Sequence, residues 1–360
     1  MSIPHDLMTI WSWTVTAFHA QADGMRAAGS DGVRRPLKEE AAMSTSPESA
    51  VPAITGAEID KSLSMMADQY ALSPRSPIMR TPASQGLAYD DISFEATDGT
   101  PLEGWYVPAP DSDKLVIVNH PRWFSRSGLP AHLEPWKSIG AYGGNDFEVD
   151  FIPDVRVLHD AGYNVLMYDL RNFGHSGAAN GGLTSNGIFE ARDVLGSLRY
   201  VRDRSDLRDM AIGLFSRCLG CAGTIFAMRD DPVAFEGVRC LVGCQPLSVR
   251  VILQQALVLA GIPGHHIDRL DELIRLRVSF SLDEMSPLRA IGSVQLPTLL
   301  YQVRADVMTR AEDVQSMYDA LPVRDKRLLW IEGTTRRWDG YTYFQRNPRE
   351  ILDWLHTHMN

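Results

Sequence analysis

Residues 211–221 read Ala-Ile-Gly-Leu-Phe-Ser-Arg-Cys-Leu-Gly-Cys, an apolar run followed directly by small residues. The run predicts a buried strand, and the small residues predict a sharp turn into a helix. Such a turn lifts one side chain above the sheet and leaves no room for bulk two positions before or after it. With Cys218 at the tip these positions hold Ser216 and Gly220, whereas with Ser216 at the tip Leu214 would crowd the turn. The segment therefore predicts a strand, turn and helix that present Cys218.

Short apolar segments on both sides of this unit predict a mostly parallel sheet. The first two flank Thr97-Asp98-Gly99-Thr100, a sequence typical of a hairpin turn. The later segments alternate with helical stretches, as in parallel sheets that are covered by helices. The eight predicted strands are residues 87–96, 102–107, 115–119, 165–169, 210–215, 238–242, 298–303 and 327–331. The predicted fold class is α/β, with an eight-stranded, mostly parallel sheet covered by helices.

The length and composition allow one large domain with an extension, because the 360 residues are 44% hydrophobic. Residues 21–56 are rich in Ala, Gly, Ser, Pro and charge, which leaves little apolar surface to bury. Met43 within them is an alternative start to Met1, and apolar residues at helical spacing from Ile59 to Tyr70 predict a helix. We predict a loosely ordered N-terminal extension over residues 1–56, a helix and linker over 57–86, and the α/β domain over 87–360.

Charge and cysteine usage exclude several kinds of partner. A formal net charge of -10 provides no overall positive field for a nucleic acid or an anionic membrane, so we predict neither as a partner. No apolar run is long enough to predict a membrane span. All four cysteines lie between Cys218 and Cys244, unlike a secreted disulfide framework, which favours the cytoplasm. The sequence shows no further metal ligands near them, so we predict no metal and no cofactor, and the oligomeric state stays open.

Three further segments lie where one known family carries its motifs. They are Val118-Asn-His-Pro-Arg122 after the third strand, Asp169-Leu-Arg-Asn-Phe-Gly-His-Ser176 after the fourth, and Pro297 to Asp306 around the seventh. Together with the cysteine turn they resemble the alpha/beta hydrolase superfamily, and a cysteine at this turn is similar to dienelactone hydrolases. The resemblance implies an alpha/beta hydrolase fold for residues 87–360.

The same resemblance implies roles for individual residues. Cys218 would be the nucleophile, and Asp306 would be the acid of a catalytic triad. The Leu219 amide, at the start of the helix, would donate one hydrogen bond to an oxyanion. The second donor would be the Arg122 amide, because the preceding Pro121 has no N–H.

One position departs from the family's pattern. The segment from Leu329 to Tyr341 aligns with the family's G-x-x-H motif, and Arg336 stands at the histidine position. Arginine stays protonated, so it cannot accept a proton from a thiol or from water. We predict that Asp306 pairs with Arg336 and holds the guanidinium over Cys218, where it would favour the thiolate.

A histidine from elsewhere in the chain is an alternative general base. The candidates are His120, His265 and His266. Their spacing in the sequence gives no reason to place them within hydrogen-bond distance of Cys218. Cys221 forms a C-x-x-C pair with Cys218, but without a thioredoxin-like context we expect Cys221 to serve packing rather than redox chemistry.

The segment between the sixth and seventh strands is the candidate cap. Residues 246–285 contain two amphipathic stretches separated by Gly261-Ile-Pro-Gly264. The family carries a cap at this position, so the segment resembles a small helical cap over an apolar pocket. A helix pair packed only for stability is the alternative. Aromatic residues flank the same end of the sheet, namely Trp123, Phe124, Trp338 and Tyr341.

The function predicted first is that of a cysteine-dependent hydrolase or acyl transferase. Its substrate would be a small-molecule ester, lactone or thioester with an apolar acyl group. The alternative is a hydrolase-like protein that has lost catalysis and binds a ligand or partner through the same pocket, because the triad histidine is absent. A lyase, cyclase or isomerase on the same fold is a third hypothesis, which the composition does not separate from the others.

Overall fold

The computed structural model describes residues 55–141 and 143–360. The predicted extension over residues 1–56 and the choice between Met1 and Met43 therefore lie almost entirely outside the described residues. Contacts divide the chain into two units, Met1–Ser64 and Met65–Asn360, and the second unit contains every strand described below.

Helix α1 spans Gly56–Ala71, where residue spacing predicts a helix. Its start is a capping box, in which the Thr55 N–H donates to Oε2 of Glu58 at 2.8 Å and the Glu58 N–H donates to Oγ1 of Thr55 at 3.3 Å. These two bonds satisfy donors that the first helical turn leaves without partners. Thr55-x-x-Glu58 is therefore the local signal that begins the helix.

The main sheet has eight strands, as predicted. They are β1 (Asp90–Glu95), β2 (Pro101–Val107), β3 (Lys114–Asn119), β4 (Asn164–Tyr168), β5 (Ala211–Arg217), β6 (Val238–Cys244), β7 (Thr298–Val303) and β8 (Lys326–Ile331). Their order in the sheet is β1-β2-β4-β3-β5-β6-β7-β8. Strand β2 pairs antiparallel with β1 and β4, and the other pairs are parallel. The carboxyl ends of β3, β5, β6 and β7 therefore meet at one edge of the sheet.

Helices cover both faces of the sheet. The remaining helices are α2 (Trp136–Ala141), α3 (Ile152–Asp160), α4 (Ala191–Asp203), α5 (Leu219–Asp230), α6 (Val249–Leu259), α7 (Ile267–Val278), α8 (Ala311–Ala320), α9 (Arg337–Tyr341), α10 (Tyr343–Arg346) and α11 (Arg349–Met359). Consecutive residues of β5 face opposite sides of the sheet, because Leu214 packs in one core and Phe215 in the other. Helices α4, α5 and α8 contribute to the first core, and α3, α9 and α11 contribute to the second. This double burial explains why the central strands are apolar without alternation.

The turn after β4 ties the loop after β3 to the sheet. The Asp169 carboxylate accepts hydrogen bonds from the Arg126 N–H at 2.7 Å and from the His175 N–H at 2.9 Å, and it pairs with the Arg126 guanidinium. A Cβ at Gly174, where φ is 44°, would lie 2.1 Å from the Asp169 carboxyl carbon. The turn therefore requires glycine at this position, and it fixes the loop that carries Arg122.

Helices α6 and α7 occupy the segment between β6 and β7 for which a cap is predicted. Arg250 on α6 pairs with three carboxylates that lie on α7 or after it: Asp268 at 3.0 Å, Asp271 at 2.8 Å and Asp283 at 2.7 Å. One guanidinium therefore holds the helix pair together. Of the helices in the described part of the chain, none has the length and apolar character needed to cross a bilayer.

Candidate active site

Cys218 occupies the tip of the turn between β5 and α5, where the sequence predicts it. Its backbone has φ of 46° and ψ of −106°, a combination that is unfavourable for a residue with a Cβ. The Cys218 N–H donates to the Cys244 carbonyl at 2.8 Å, which anchors the turn to the end of β6. The side chain is 8% exposed. The backbone strain is thus held by a hydrogen bond to the neighbouring strand.

Small residues on both sides make this turn possible. A Cβ at Gly220 would lie 2.5 Å from the Cβ of Asn119, so only glycine allows α5 to start this close to β3. Ser216 stands where the family carries its first glycine, and its hydroxyl is buried. The hydroxyl accepts from the Asn119 amide at 2.9 Å and lies 2.9 Å from Oγ1 of Thr224. These contacts satisfy a hydroxyl that would otherwise be costly to bury.

The two predicted oxyanion donors lie on adjacent segments. The Gly220 N–H donates to the His120 carbonyl at 3.2 Å, which joins the start of α5 to the loop after β3. Within residues 55–141 and 143–360, neither the Leu219 N–H nor the Arg122 N–H has a backbone acceptor. Their role as oxyanion donors stays a prediction, and their positions are compatible with it.

Asp306 follows β7 and its carboxylate is fully hydrogen-bonded. Oδ1 accepts from the Met308 N–H at 2.9 Å, whereas Oδ2 accepts from Gln302 at 3.2 Å and from the Thr309 hydroxyl at 3.1 Å. Oδ2 also accepts from Nη1 of Arg337 at 2.7 Å. This buried carboxylate is therefore held in one orientation with a guanidinium beside it.

The predicted pair between Asp306 and Arg336 is wrong, because the partner of Asp306 is the next residue, Arg337. Arg336 precedes helix α9 with extended backbone, and its side chain is 44% exposed. It bonds to Asp339 at 3.0 Å and lies over the ring of Phe147 at 4.7 Å. Consecutive side chains at the start of a helix point in different directions, so one residue of register decides which arginine enters the core.

Arg337 links Asp306 to Tyr341, for which the sequence predicted only a contribution to aromatic surface at this end of the sheet. Nε of Arg337 donates to the Tyr341 hydroxyl at 3.0 Å, and Nη2 donates to the Gln245 carbonyl. The i to i+4 spacing from Arg337 to Tyr341 on α9 was the local signal for this contact. Burial opposes the charge of Arg337, but Tyr341 and Asp306 raise its pKa well above the ordinary value. The guanidinium therefore stays charged.

Tyr341 bonds to Arg337 and belongs to the same buried cluster as Cys218. Burial raises the pKa of the Tyr341 phenol well above its ordinary value, Arg337 opposes this rise, and Cys218, within electrostatic and hydrogen-bonding reach, adds to it. The hydroxyl oxygen already accepts the Arg337 N–H, so the hydroxyl proton is free to point toward the sulfur. The site is thus a chain of four side chains: Cys218, Tyr341, Arg337 and Asp306.

The histidines proposed as substitute bases are not brought to Cys218. His120 is wrong as a candidate because both ring nitrogens are occupied: Nδ1 lies 2.7 Å from the Pro121 carbonyl and Nε2 accepts from the Leu170 N–H at 2.9 Å. Burial also lowers the His120 pKa, so the ring is neutral. His265 and His266 stack on each other at 4.3 Å before α7, and in the described part of the chain neither bonds to a residue of the site.

The other three cysteines are buried thiols. Burial raises the pKa of Cys240 and of Cys244 to about 12, and it raises that of Cys221 further. The Cys221 sulfur packs against Gly243 of β6, 3.1 Å from where a Cβ would stand. The packing role expected for Cys221 therefore agrees with its position. Across residues 55–141 and 143–360, no three His, Cys, Asp or Glu side chains converge as metal ligands.

The predicted aromatic surface is mostly buried packing. Phe124 contacts Tyr341 at 5.2 Å and Trp338 at 5.7 Å, and these three side chains are at most 2% exposed. Phe124 thus packs against two residues of α9, and these buried rings position Tyr341 rather than line an open pocket. Helix α6 approaches the site from the other side, since Gln255 donates to the carbonyl of Thr309, the residue whose hydroxyl bonds to Asp306.

Sequence comparisons find similar proteins at below 30% identity. The chain matches no protein-family model. It is 27% identical over 248 residues to the uncharacterized protein YfhR of Escherichia coli strain K12, which spans 67% of this chain and 71% of that protein. It is 24% identical over 262 residues to the uncharacterized protein YqkD of Bacillus subtilis strain 168, which spans 71% of this chain and 76% of that protein.

Solved structures with the same fold include two named hydrolases. The esterase Pf2001 of Pyrococcus furiosus superposes with a TM-score of 0.60 at 21% identity, covering 81% of this chain and 99% of that one. The alpha/beta hydrolase GrgF of Penicillium sp. sh18 superposes with a TM-score of 0.52 at 18% identity, covering 76% of this chain and 99% of that one. These likenesses show that the chain has the alpha/beta hydrolase fold.

Proposed function

We propose that this protein transfers acyl groups through a covalent intermediate on Cys218. The observation that carries the proposal is the strained backbone of Cys218 at the strand-to-helix turn, beside a buried Tyr341, Arg337 and Asp306. Strain at a non-glycine residue is retained where a side chain has work to do. The substrate is a small-molecule ester, lactone or thioester, since a net charge of -10 disfavours nucleic acid.

In the first step the Cys218 thiolate attacks the acyl carbon. The new oxyanion accepts hydrogen bonds from the Leu219 and Arg122 amides, and collapse of the intermediate breaks the bond to the leaving group. An alkoxide leaving group takes the hydroxyl proton of Tyr341. The phenolate that remains is stabilised by the N–H that Arg337 donates to it.

In the second step the acyl group leaves Cys218. The Tyr341 phenolate accepts a proton from the incoming water or alcohol, whose oxygen attacks the thioester and releases the thiolate. Tyr341 thereby transfers the proton that histidine transfers in the family, and Asp306 orients Tyr341 through Arg337. Because burial raises the Tyr341 pKa, the phenol is a weak acid, so acylation by donors whose leaving group departs without a proton is faster than acylation by simple alkyl esters. With such a donor Tyr341 stays protonated, so the acyl group remains on Cys218 until an acceptor that is already an anion, such as a thiolate, attacks the thioester and releases the Cys218 thiolate.

Ligand binding without turnover is the second candidate. It is favoured by one observation, that the guanidinium of Arg337 occupies the place of the catalytic histidine and cannot accept a proton. Under this proposal Arg337→His creates or greatly raises esterase activity, whereas the parent protein shows none above background.

The test is intact-mass analysis after exposure to a panel of activated esters and thioesters. Acyl transfer predicts an adduct of one acyl group on the wild-type protein and on Cys221→Ala, the matched control, and none on Cys218→Ala. Persistence of the adduct in Cys218→Ala rejects Cys218 as nucleophile. Absence of any adduct, together with activity gained in Arg337→His, favours the second candidate.

A further inference from the structure

Arg122 is a buried cation whose guanidinium is almost without partners. The residue is 9% exposed, and Nη2 donates to the Tyr70 carbonyl. In the described part of the chain, Nε and Nη1 have no hydrogen-bond acceptor. The guanidinium lies over the Tyr70 ring at 4.4 Å and 5.9 Å from the Trp123 ring. Most of the five N–H donors of this arginine are therefore unused.

Among residues 55–141 and 143–360, no carboxylate contacts the Arg122 guanidinium. Glu190 acts on Arg122 through space, but its carboxylate oxygens accept from the Ser185 N–H and hydroxyl and from the Gly187 N–H. Burial lowers the pKa of Arg122, because removal from water disfavours the charged guanidinium. A buried charge without a contacting partner is destabilising, so the arrangement is incomplete without an anion.

The loop that carries Arg122 is bonded to the helix start that follows the candidate nucleophile. Arg122 lies three residues after Asn119, which pairs with Ser216 at the end of β5. The loop between them bonds to the start of α5 through the His120 carbonyl and the Gly220 N–H. The charges of Arg122 and Cys218 also interact. An anion bound by the Arg122 side chain would therefore lie close to an acyl group bound at Cys218.

We propose that Arg122 binds a carboxylate carried by the acyl donor, so that the substrate is a monoester or monothioester of a dicarboxylic acid. The inference rests on the function proposed above and specifies its substrate class. A planar guanidinium matches a carboxylate, and a single positive charge between aromatic rings suits a monoanion better than a phosphate dianion. Because Nε and Nη1 are closed off from solvent, the carboxylate enters together with a small movement of the surrounding loop.

The first experiment compares two activated esters that differ only in the end of the acyl chain: p-nitrophenyl hydrogen glutarate and p-nitrophenyl valerate. Wild-type Cys218 is expected to be acylated about tenfold faster by the glutarate ester, as a hydrogen-bonded charge requires. Within each variant the valerate rate is the reference, and the ratio of the glutarate rate to the valerate rate should fall to about one in Arg122→Gln and to an intermediate value in Arg122→Lys. The control Arg304→Gln removes an exposed arginine, 51% exposed and paired with Glu332. Equal rates for the two esters on wild type overturn the proposal.

The second experiment measures binding without chemistry. Glutarate should bind to Cys218→Ala in calorimetry, and Cys218→Ala with Arg122→Gln should not bind it. If glutarate binding depends on Arg122 but no donor acylates the wild-type protein, the carboxylate site is supported and the acyl-transfer function is rejected. Acylation by valerate without any glutarate binding rejects the carboxylate site and leaves the acyl-transfer function standing.

Discussion

Nη1 of Arg337 donates to Oδ2 of Asp306 at 2.7 Å, and the two side chains are 3% and 2% exposed. The acid at the end of β7 therefore keeps a buried partner, but this partner carries a permanent positive charge. Arg337 also donates to the Tyr341 hydroxyl, so the pair positions Tyr341.

Loss of one member of the buried pair should destabilise the fold more than loss of both. Arg337→Gln leaves the Asp306 carboxylate without a counter-charge, which should lower the free energy of unfolding by about 3–5 kcal/mol. The double variant Asp306→Asn with Arg337→Gln should recover at least about 1 kcal/mol of this loss, measured by urea unfolding. Arg304→Gln, which breaks an exposed pair, should cost less than about 1 kcal/mol. Strict additivity of the two single variants would contradict the coupling.

The Tyr341 hydroxyl should matter for poor leaving groups and not for good ones. Tyr341→Phe removes the proton donor, so turnover of a simple alkyl ester should fall by about 10²-fold. Acylation by a p-nitrophenyl ester should change little, since p-nitrophenolate leaves without a proton. The control is Tyr343→Phe on the adjacent helix. An equal loss for both leaving groups would assign Tyr341 a structural role.

Glycine should be more stable than alanine at the tip of the turn. The backbone of Cys218, with φ of 46° and ψ of −106°, is strained for any residue that has a Cβ. Cys218→Gly should therefore exceed Cys218→Ala in free energy of unfolding by about 1–3 kcal/mol. Urea unfolding of the two variants measures the difference. If alanine is the more stable of the two, the turn stores no strain.

Helix α5 should reject an added methyl group at Gly220 and tolerate one at Gly223. Gly220→Ala brings a Cβ to 2.5 Å from Asn119, and should cost about 1–3 kcal/mol while slowing acylation at Cys218. Gly223→Ala, in the same helix, meets its nearest atom at 3.4 Å and should be neutral or stabilising by up to about 1 kcal/mol. Similar thermal unfolding temperatures for the two variants would be inconsistent with this packing.

The contribution of Asp98 to stability should disappear in acid. Burial opposes its ionisation, but hydrogen bonds from Arg171 and Arg192 hold the pKa of Asp98 below its ordinary value. A lowered pKa stabilises the fold above the ordinary value of about 3.9, and this stability is lost as the pH falls below it. Asp98→Asn should therefore be less stable than wild type at pH 7, and the difference should narrow steadily as the pH falls from about 4 to about 2. A constant difference across urea titrations at these pH values would refute the assignment.

Local sequence specifies the sheet and the position of Cys218. The central strands are continuous apolar runs because both faces are buried, so their limits can be read from composition alone. The turn can also be predicted from the sequence, because the close approach of α5 to Asn119 requires glycine at position 220. Asp306 was assigned from the resemblance to the alpha/beta hydrolase superfamily, and in the structure it follows β7. Each of these features leaves a signal in residues that lie a few positions apart in the sequence.

The tertiary structure decides which side chains meet around Cys218. Arg336 and Arg337 have the same chemistry, and only the way α9 docks on the core directs the second one to Asp306. The unused donors of Arg122 also depend on distant elements, because Tyr70 and Glu190 come from other parts of the chain. A rotation of about 100° per helical residue separates one arginine from the next, and packing energy over a whole helix selects between them. Sequence determines the turn because turn sterics are local, whereas the partners of a buried charge are set by elements far apart in the chain.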